Sequence, residues 1–266
     1  MRTPAFHVAN NECSFTFGSL FSGIGGLDVG LERAGMRCAW QVEIDDYATH
    51  ILTKHWPNVP RFRDVRTVGA ATLPPVDVVC GGFPCQDISI CNTRNPQGIA
   101  GARSGLWGEF FRLICELRPR YVVVENVPAL LGRGMGRVLG DLAAIGYDAE
   151  WQLLQASDFG APHQRKRLFI IAYPNGQRCT RMFSSAISPC VRYPLWNEPQ
   201  TSPETVVLPR HRLAQLEARL GEPSVFGSND GLSNWMDRLE KIGNAVVPQI
   251  AEYIGRCILA ADAEGA

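Results

Sequence analysis

The stretch that most constrains what this chain can fold into runs from Ser14 to Gly35. Ser14 to Phe21 is apolar and β-prone and ends in Phe21-Ser22-Gly23-Ile24-Gly25-Gly26. Leu27, Leu31 and Ala34 then recur at helical spacing until Gly35 stops the helix. Strand, glycine turn and helix in that order form the opening unit of an open α/β sheet, where glycines let a ligand approach the backbone and the helix N-terminus. The spacing is not Gly-x-Gly-x-x-Gly and no Gly-Lys-Ser/Thr follows. A phosphate cradle is therefore not the natural reading, and a tight structural turn is the alternative.

The same alternation continues down the chain. Cys38 to Glu43 reads as a second strand ending in an acid, about twenty residues past the glycines, where such folds place a ribose-binding carboxylate. Asp45 caps a helix through His55 that Pro57 closes, and Asp64, in Arg63-Asp64-Val65, falls at a third strand or its exit. Val76 to Cys80 reads as a short buried strand and leads into Gly81-Gly82-Phe83-Pro84-Cys85-Gln86. Two glycines permit close approach and Pro84 fixes φ, so Cys85 is presented at a loop start as a candidate nucleophile. Taken alone, a buried structural cysteine in a turn is the commoner case.

Gln86 to Ala102 is a loop rich in Asn, Gly, Thr and Pro, of a length that usually serves a function. Arg103-Ser104-Gly105-Leu106-Trp107 opens a helix to Leu117. Tyr121 to Val127 is a buried strand that delivers Glu125 and Asn126 to the edge where open α/β sheets bind ligands. Gly136 to Ile145 is helical, Asp148 to Ala156 extended, and His163-Gln164-Arg165-Lys166-Arg167 leads into a strand from Leu168 to Tyr173. From Pro174 to Pro209 periodicity disappears, Arg210 to Leu220 is a short amphipathic helix, and Ile242 to Pro248 precedes a last helix to Ala261.

Composition narrows the class. No apolar run approaches eighteen residues, which indicates no membrane span, and Met1 to Glu12 lacks the layout of a secretory signal. The nine cysteines are an odd number with no Cys-x-x-Cys pair, which argues against a disulfide framework and a zinc site and for a reducing cytoplasm. Lys plus Arg and Asp plus Glu balance at 26 each, yet His163 to Leu220 holds nine basic residues against three acids. Such a patch is either a solvated face or a phosphate-binding surface.

Together these motifs resemble the bacterial and phage cytosine-5 DNA methyltransferases. The resemblance rests on Phe21-Ser22-Gly23-Ile24-Gly25-Gly26, Glu43, Asp64, Gly82-Phe83-Pro84-Cys85-Gln86, Glu125-Asn126-Val127, Arg165-Lys166-Arg167 and Gly243-Asn244-Ala245-Val246, all in the family's order. It covers residues 14 to 173 and about 230 to 262. It implies a Rossmann-like methyltransferase fold, with a mostly parallel twisted sheet flanked by helices. A catalytic and cofactor-binding domain would span 1–173, a short target-recognition region 174–234, and a C-terminal segment 235–266 would return to the catalytic domain.

What the resemblance implies for chemistry is specific. Cys85 would attack carbon 6 of a flipped cytosine, Glu125 would protonate or hydrogen-bond ring nitrogen 3, and Arg167 with Arg165 would hold the carbonyl oxygen. The implied cofactor is S-adenosylmethionine, which carries no phosphate. Phe21 would stack on or flank its adenine, the Gly23, Ile24, Gly25 and Gly26 backbone would face its methionine part, Glu43 would bind the ribose and Asp64 the adenine amino group, with Ser22, Ile44 and Val65 as further cofactor contacts. Pro84, Leu106, Asn244 and Val246 would complete the pocket, while Gln86, Ser89, Arg103 and Arg165 would contact DNA. Double-stranded DNA is the expected partner, a cognate restriction endonuclease a further one, and a monomer the expected state.

Two departures stand out. His163 replaces the glutamine that opens the family's Gln-x-Arg-x-Arg pattern, and only about Pro174 to Asn234 is available for target recognition. A tRNA-directed cytosine-5 methyltransferase on the same scaffold and a non-catalytic DNA- or cofactor-binding relative are the alternatives.

Overall fold

The computed structural model describes residues 15–84, 106–161, 163–176, 183 and 245–265. Among the described residues seven strands form one sheet: β1 (Thr16–Leu20), β2 (Arg37–Val42), β3 (Arg61–Phe62), β4 (Val78–Gly81), β5 (Tyr121–Asn126), β6 (Tyr147–Gln155) and β7 (Lys166–Pro174). Their order is β3-β2-β1-β4-β5-β7-β6. The first five are mutually parallel, and β7 pairs antiparallel with both β5 and β6. The helices are α1 (Gly26–Arg33), α2 (Asp46–His55), α3 (Leu106–Leu117), α4 (Leu130–Arg133), α5 (Met135–Ala144) and α6 (Pro248–Gly265).

The central strands β4, β5 and β7 are largely apolar because both faces of the sheet are covered there, whereas the edge strands β3 and β6 carry polar residues. In β5, Tyr121 and Val123 join one core with Leu31 of α1, Leu52 of α2 and Ile250, Ile254 and Ile258 of α6. Val122 and Val124 point the other way, to Trp107, Phe110 and Leu113 of α3 and Val138 and Leu142 of α5. Strand period and layer assignment therefore agree residue by residue.

Local chemistry sets the element ends. Asp45 accepts a 2.8 Å hydrogen bond from the Ala48 amide and caps α2, as its sequence predicts. Gly35, with φ 105°, follows the C-cap of α1, and its amide reaches Glu32 O at 2.9 Å. Two boundaries differ from the sequence reading. The strand β7 begins at Lys166, so Arg167 is a ladder residue and not part of the lead-in, because its pairing with Leu154 extends the β6 hairpin. The last helix runs to Gly265, four residues past Ala261. The short α4 was not expected; four residues offer no readable period. Residues 210–220, read as a helix, lie outside the described residues.

The helices α1 and α6 cross at very close range. A Cβ on Gly26 would sit 2.3 Å from Val246 O, and one on Gly30 would sit 2.3 Å from the Ala251 Cβ and 2.4 Å from Pro248 O. Only residues without side chains allow this approach.

Candidate active site

Parallel pairing puts the C-terminal ends of β1, β2, β4 and β5 along one edge of the sheet, and antiparallel β7 begins at the same edge. Register decides what meets there. Glu125 pairs with Phe169 and Asn126 with Leu168, so Arg167 enters the sheet beside the exit of β5. Its Nε lies 3.1 Å from Glu125 Oε1, and the Glu125 side chain is 12% exposed. Gly82 is packed under the same carboxylate: a Cβ there would lie 2.5 Å from Glu125 Oε2. The buried Asn126 donates from Nδ2 to Phe83 O at 3.2 Å and accepts the Val127 amide at 2.9 Å. Its amide thus ties Phe83 to the start of the turn after β5 and is spent on backbone.

The electrostatics of this corner oppose one another. Burial pushes the Glu125 carboxyl above the ordinary range, while the Arg167 and Arg165 guanidiniums pull it down and lose. Desolvation wins because the carboxylate has left water almost completely, whereas the arginines answer it with only partial charge compensation. Arg165 holds a left-handed backbone with φ 25°, and its guanidinium is shifted down by burial and by the neighbouring Arg167. A non-glycine residue in that region costs on the order of 1–3 kcal/mol, and such strain gathers at functional positions. One carboxyl and two guanidiniums thus gather at the exit of β4, beside Gly82.

A second group lines the exits of β1, β2 and β3. Phe21 has φ 52° and Gly23 and Gly25 have φ 55° and 86°, so the turn is wound left-handed over three of its five residues. The Ser22 amide donates to Val42 O at 3.2 Å. The buried Glu43 carboxylate accepts the Gly23 amide at 2.7 Å through Oε2 and the Asp45 amide at 2.8 Å through Oε1. It clamps the glycine turn to the end of β2. Ile44, next in sequence, is 62% exposed, and a Cβ on Gly23 would meet nothing within 4 Å. Phe21 packs on Phe110 of α3 with ring centroids 6.3 Å apart, and Leu106 belongs to the same apolar cluster. Asp64 caps the 3-10 turn of Val65–Thr67 and pairs with Arg66 at 2.8 Å, which lowers its carboxyl pKa.

The residues singled out in the sequence fall into three groups. Phe21 to Gly26, Glu43, Ile44, Asp64, Val65, Leu106 and Val246 belong to the turns and elements around the exits of β1 to β3, with Val246 against Gly26. Pro84, Glu125, Arg165 and Arg167 belong to the second corner. Cys85, Gln86, Ser89, Arg103 and Asn244 lie outside the described residues. Among the described residues no group of His, Cys, Asp or Glu is arranged to hold a metal ion.

The family model for C-5 cytosine-specific DNA methylases matches residues 15–209 of this sequence. The chain belongs to that family. The Type II methyltransferase M2.BsuMI of Bacillus subtilis is 36% identical over 162 residues, which cover 58% of this chain and 41% of that protein. The Type II methyltransferase M.MspI of Moraxella is 35% identical over 166 residues, 60% of this chain and 39% of that one. The match thus spans about two-fifths of each of these relatives. A crystal structure of a prophage-encoded E. coli protein, described as a DNA modification methyltransferase, superposes with a TM-score of 0.65. It covers 94% of this chain and all of the other at 21% identity, which speaks to the fold.

Several residues around the site carry no signal in the family motifs. Arg63 donates to Thr49 Oγ1 at 2.7 Å and also reaches Ile44 O and Asp46, holding the loop that displays Ile44. Arg112 of α3 donates to Val65 O and Val68 O at 3.0 and 2.9 Å while Glu109 and Glu116 flank it at 2.9 and 2.7 Å. The i, i+3 and i, i+4 acids around Arg112 were visible in the sequence, but its carbonyl partners lie more than forty residues away. Asp28 reads in sequence as an ordinary first-turn acid, and burial gives it another character.

Proposed function

We propose that this protein is a DNA cytosine-5 methyltransferase that uses S-adenosylmethionine and an attacking Cys85 thiolate. The observation that carries the reading is the buried Glu125–Arg167 pair above Gly82, three residues before the cysteine. Cys85 adds to carbon 6 of an extruded cytosine, which gives carbon 5 the enamine character it otherwise lacks. Glu125, whose carboxyl is pushed up by burial, donates to ring nitrogen 3 so that negative charge does not accumulate on the ring. Arg165 and Arg167 hold the carbonyl oxygen. Loss of the carbon-5 proton and departure of Cys85 then restore aromaticity and free the thiolate.

The exits of β1 to β3 suit the proposed donor. S-adenosylmethionine supplies a methyl group on a sulfonium, and it has no phosphate for a glycine cradle to hold. The open space over Gly23 and the exposed Ile44 offer backbone and an apolar face to a flat, polar-edged ligand. The Glu43 carboxylate, already oriented by two amides, retains lone pairs for ribose hydroxyls. Val246 against Gly26 and Leu106 near Phe21 close the sides.

In this reading double-stranded DNA is the substrate, residues 174–234 supply target recognition, and a restriction endonuclease of the same specificity is the functional partner. Bisulfite sequencing of DNA from cells expressing the protein tests it, because protected cytosines in a fixed context report both activity and recognition sequence. Methyl incorporation into duplex DNA but not tRNA is the expected companion result. Cys85→Ala is expected to abolish transfer and leave cofactor affinity nearly unchanged. Methylation by that variant would remove the proposed mechanism.

A further inference from the structure

Asp28 sits in the first turn of α1, two residues past Gly26, and is wholly buried. Its Oδ1 accepts from Gln41 Nε2 at 2.7 Å and, weakly, from the Cys38 thiol at 3.9 Å, and its Oδ2 accepts the Ser19 hydroxyl at 3.1 Å. Gln41 Oε1 in turn accepts Arg61 Nε and Nη2 at 3.0 and 2.7 Å. These partners stand in register beneath the proposed cofactor contacts. Ser19 precedes Ser22 by three residues on β1, Gln41 precedes Glu43 by two on β2, and Arg61 precedes Asp64 by three on β3. A polar layer thus crosses three strands directly below their ligand-facing ends.

None of these hydrogen bonds requires a charge. An asparagine would accept from Gln41 and donate to the Ser19 oxygen just as well. The charge is nevertheless kept, at a cost: burial, the dominant influence, pushes the Asp28 carboxyl up to about 6 against the opposing hydrogen bonds from Gln41 and Ser19. The group therefore remains mostly ionised at neutral pH. The Arg61 guanidinium attracts it from the far side of Gln41, but the groups nearest to it carry no positive charge. They are Cys38 and Gln41 from β2, Ser19 from β1, Cys80 from β4 and Glu32 from its own helix. Arg61 reaches the layer through Gln41, and Glu252 and Arg256 of α6, the helix packed on α1, pair with each other. Among the described residues no cation forms an ion pair with Asp28. A buried anion under a ligand pocket is accounted for when the ligand brings the positive charge.

We propose that the Asp28 carboxylate makes the pocket above it selective for a cationic donor, favouring the sulfonium of S-adenosylmethionine over its uncharged thioether product. The inference rests on the cofactor reading above and adds to it a residue that sets which form is held. Opposite unit charges within about 10 Å at an effective dielectric constant of about 20 change relative affinity by roughly ten-fold or more. Linkage makes the effect reciprocal: binding the cation favours ionised Asp28, so a fraction of a proton is released when binding occurs near pH 6.

Titration calorimetry of the full chain with S-adenosylmethionine and S-adenosylhomocysteine, at pH 5.0 and 7.5, tests this directly. In the wild type the preference for the sulfonium is expected to fall roughly ten-fold from pH 7.5 to pH 5.0, as Asp28 protonates. In Asp28→Asn the preference should be low and the same at both values, with both ligands still bound. At pH 6, repeating wild-type titrations in buffers of different ionisation enthalpy should show proton release with the sulfonium and little with the thioether. Glu125 is present in both proteins, so any titration of its own cancels in the comparison. If Asp28→Asn binds both ligands with the wild-type preference and pH dependence, the selectivity role is overturned and the cofactor reading stands. If the variant does not fold, equal proton release with the two ligands in the wild type overturns the role by itself. A wild-type chain that binds neither ligand removes the proposal together with the cofactor reading.

Discussion

Gly82→Ala is the sharpest probe of the proposed active site, because a single methyl group is aimed at one carboxylate oxygen. The new Cβ would lie 2.5 Å from Glu125 Oε2, whereas ordinary contact begins near 3.4 Å, so about 0.9 Å must be found. The Gly82 backbone cannot yield it easily. The preceding residue is laddered to Val124 of β5, and Phe83 O is held by Asn126. The Glu125 head group moves instead, away from the position that its 3.1 Å contact with Arg167 defines. A misplacement of about 1 Å in a reacting constellation costs roughly 10²-fold in rate, or about 2.7 kcal/mol of barrier. The stability cost is that of modest overpacking, about 1–3 kcal/mol. Single-turnover incorporation of labelled methyl into duplex DNA, beside thermal unfolding of the same preparations, separates the two effects. Glu125→Gln in the Gly82→Ala background should add less than it does alone, since both changes disable one group. A folded Gly82→Ala protein working within threefold of the wild-type rate would refute the placement of Glu125 at the reaction centre.

Other expectations follow from the same geometry. Glu125→Gln should lower the rate by roughly 10²–10⁴-fold. The wild-type rate should decline as pH rises through the raised Glu125 value, because the donating form is the protonated one, and that basic limb should be absent from the pH–rate profile of the variant. Asp28 also enters the stability of the fold. Its carboxyl is raised from 3.8 to about 6, so the stabilisation present below pH 3.8 is lost as pH rises through 6. Asp28→Asn should therefore gain on the wild type by on the order of 3 kcal/mol between pH 4 and pH 7 in urea titrations. Gly30→Ala drives a methyl to within 2.4 Å of Pro248 O and against Ala251, and should cost about 1–3 kcal/mol, read as a lowered urea midpoint.

Much of this molecule was legible in the chain itself. Strand and helix order followed from period and punctuation. The central strands β4, β5 and β7 carry apolar β-branched residues, and Asp45 and Gly35 mark helix ends with local hydrogen bonds that need no tertiary context. The family, too, is written in the sequence, because its motifs are contiguous strings fixed by strand-to-loop turns. Gly81 to Gln86 could be recognised as the hinge of the site from its residue types alone.

What the tertiary structure decided are the relations between strings. Glu125 and Arg167 are forty-two positions apart, and only the antiparallel register of β7 on β5 sets them in contact. The same packing changes the chemistry of residues that look ordinary in sequence. Burial raises Glu125 despite two nearby arginines, gives Glu43 two backbone amides to clamp, and turns a first-turn aspartate into a buried, hydrogen-bonded carboxyl whose pKa is raised to about 6. Local patterns fix secondary structure because the hydrogen bonds concerned close within a few residues. Desolvation and pairing depend on everything that surrounds a group, and that is settled only when the sheet and its two helical layers come together.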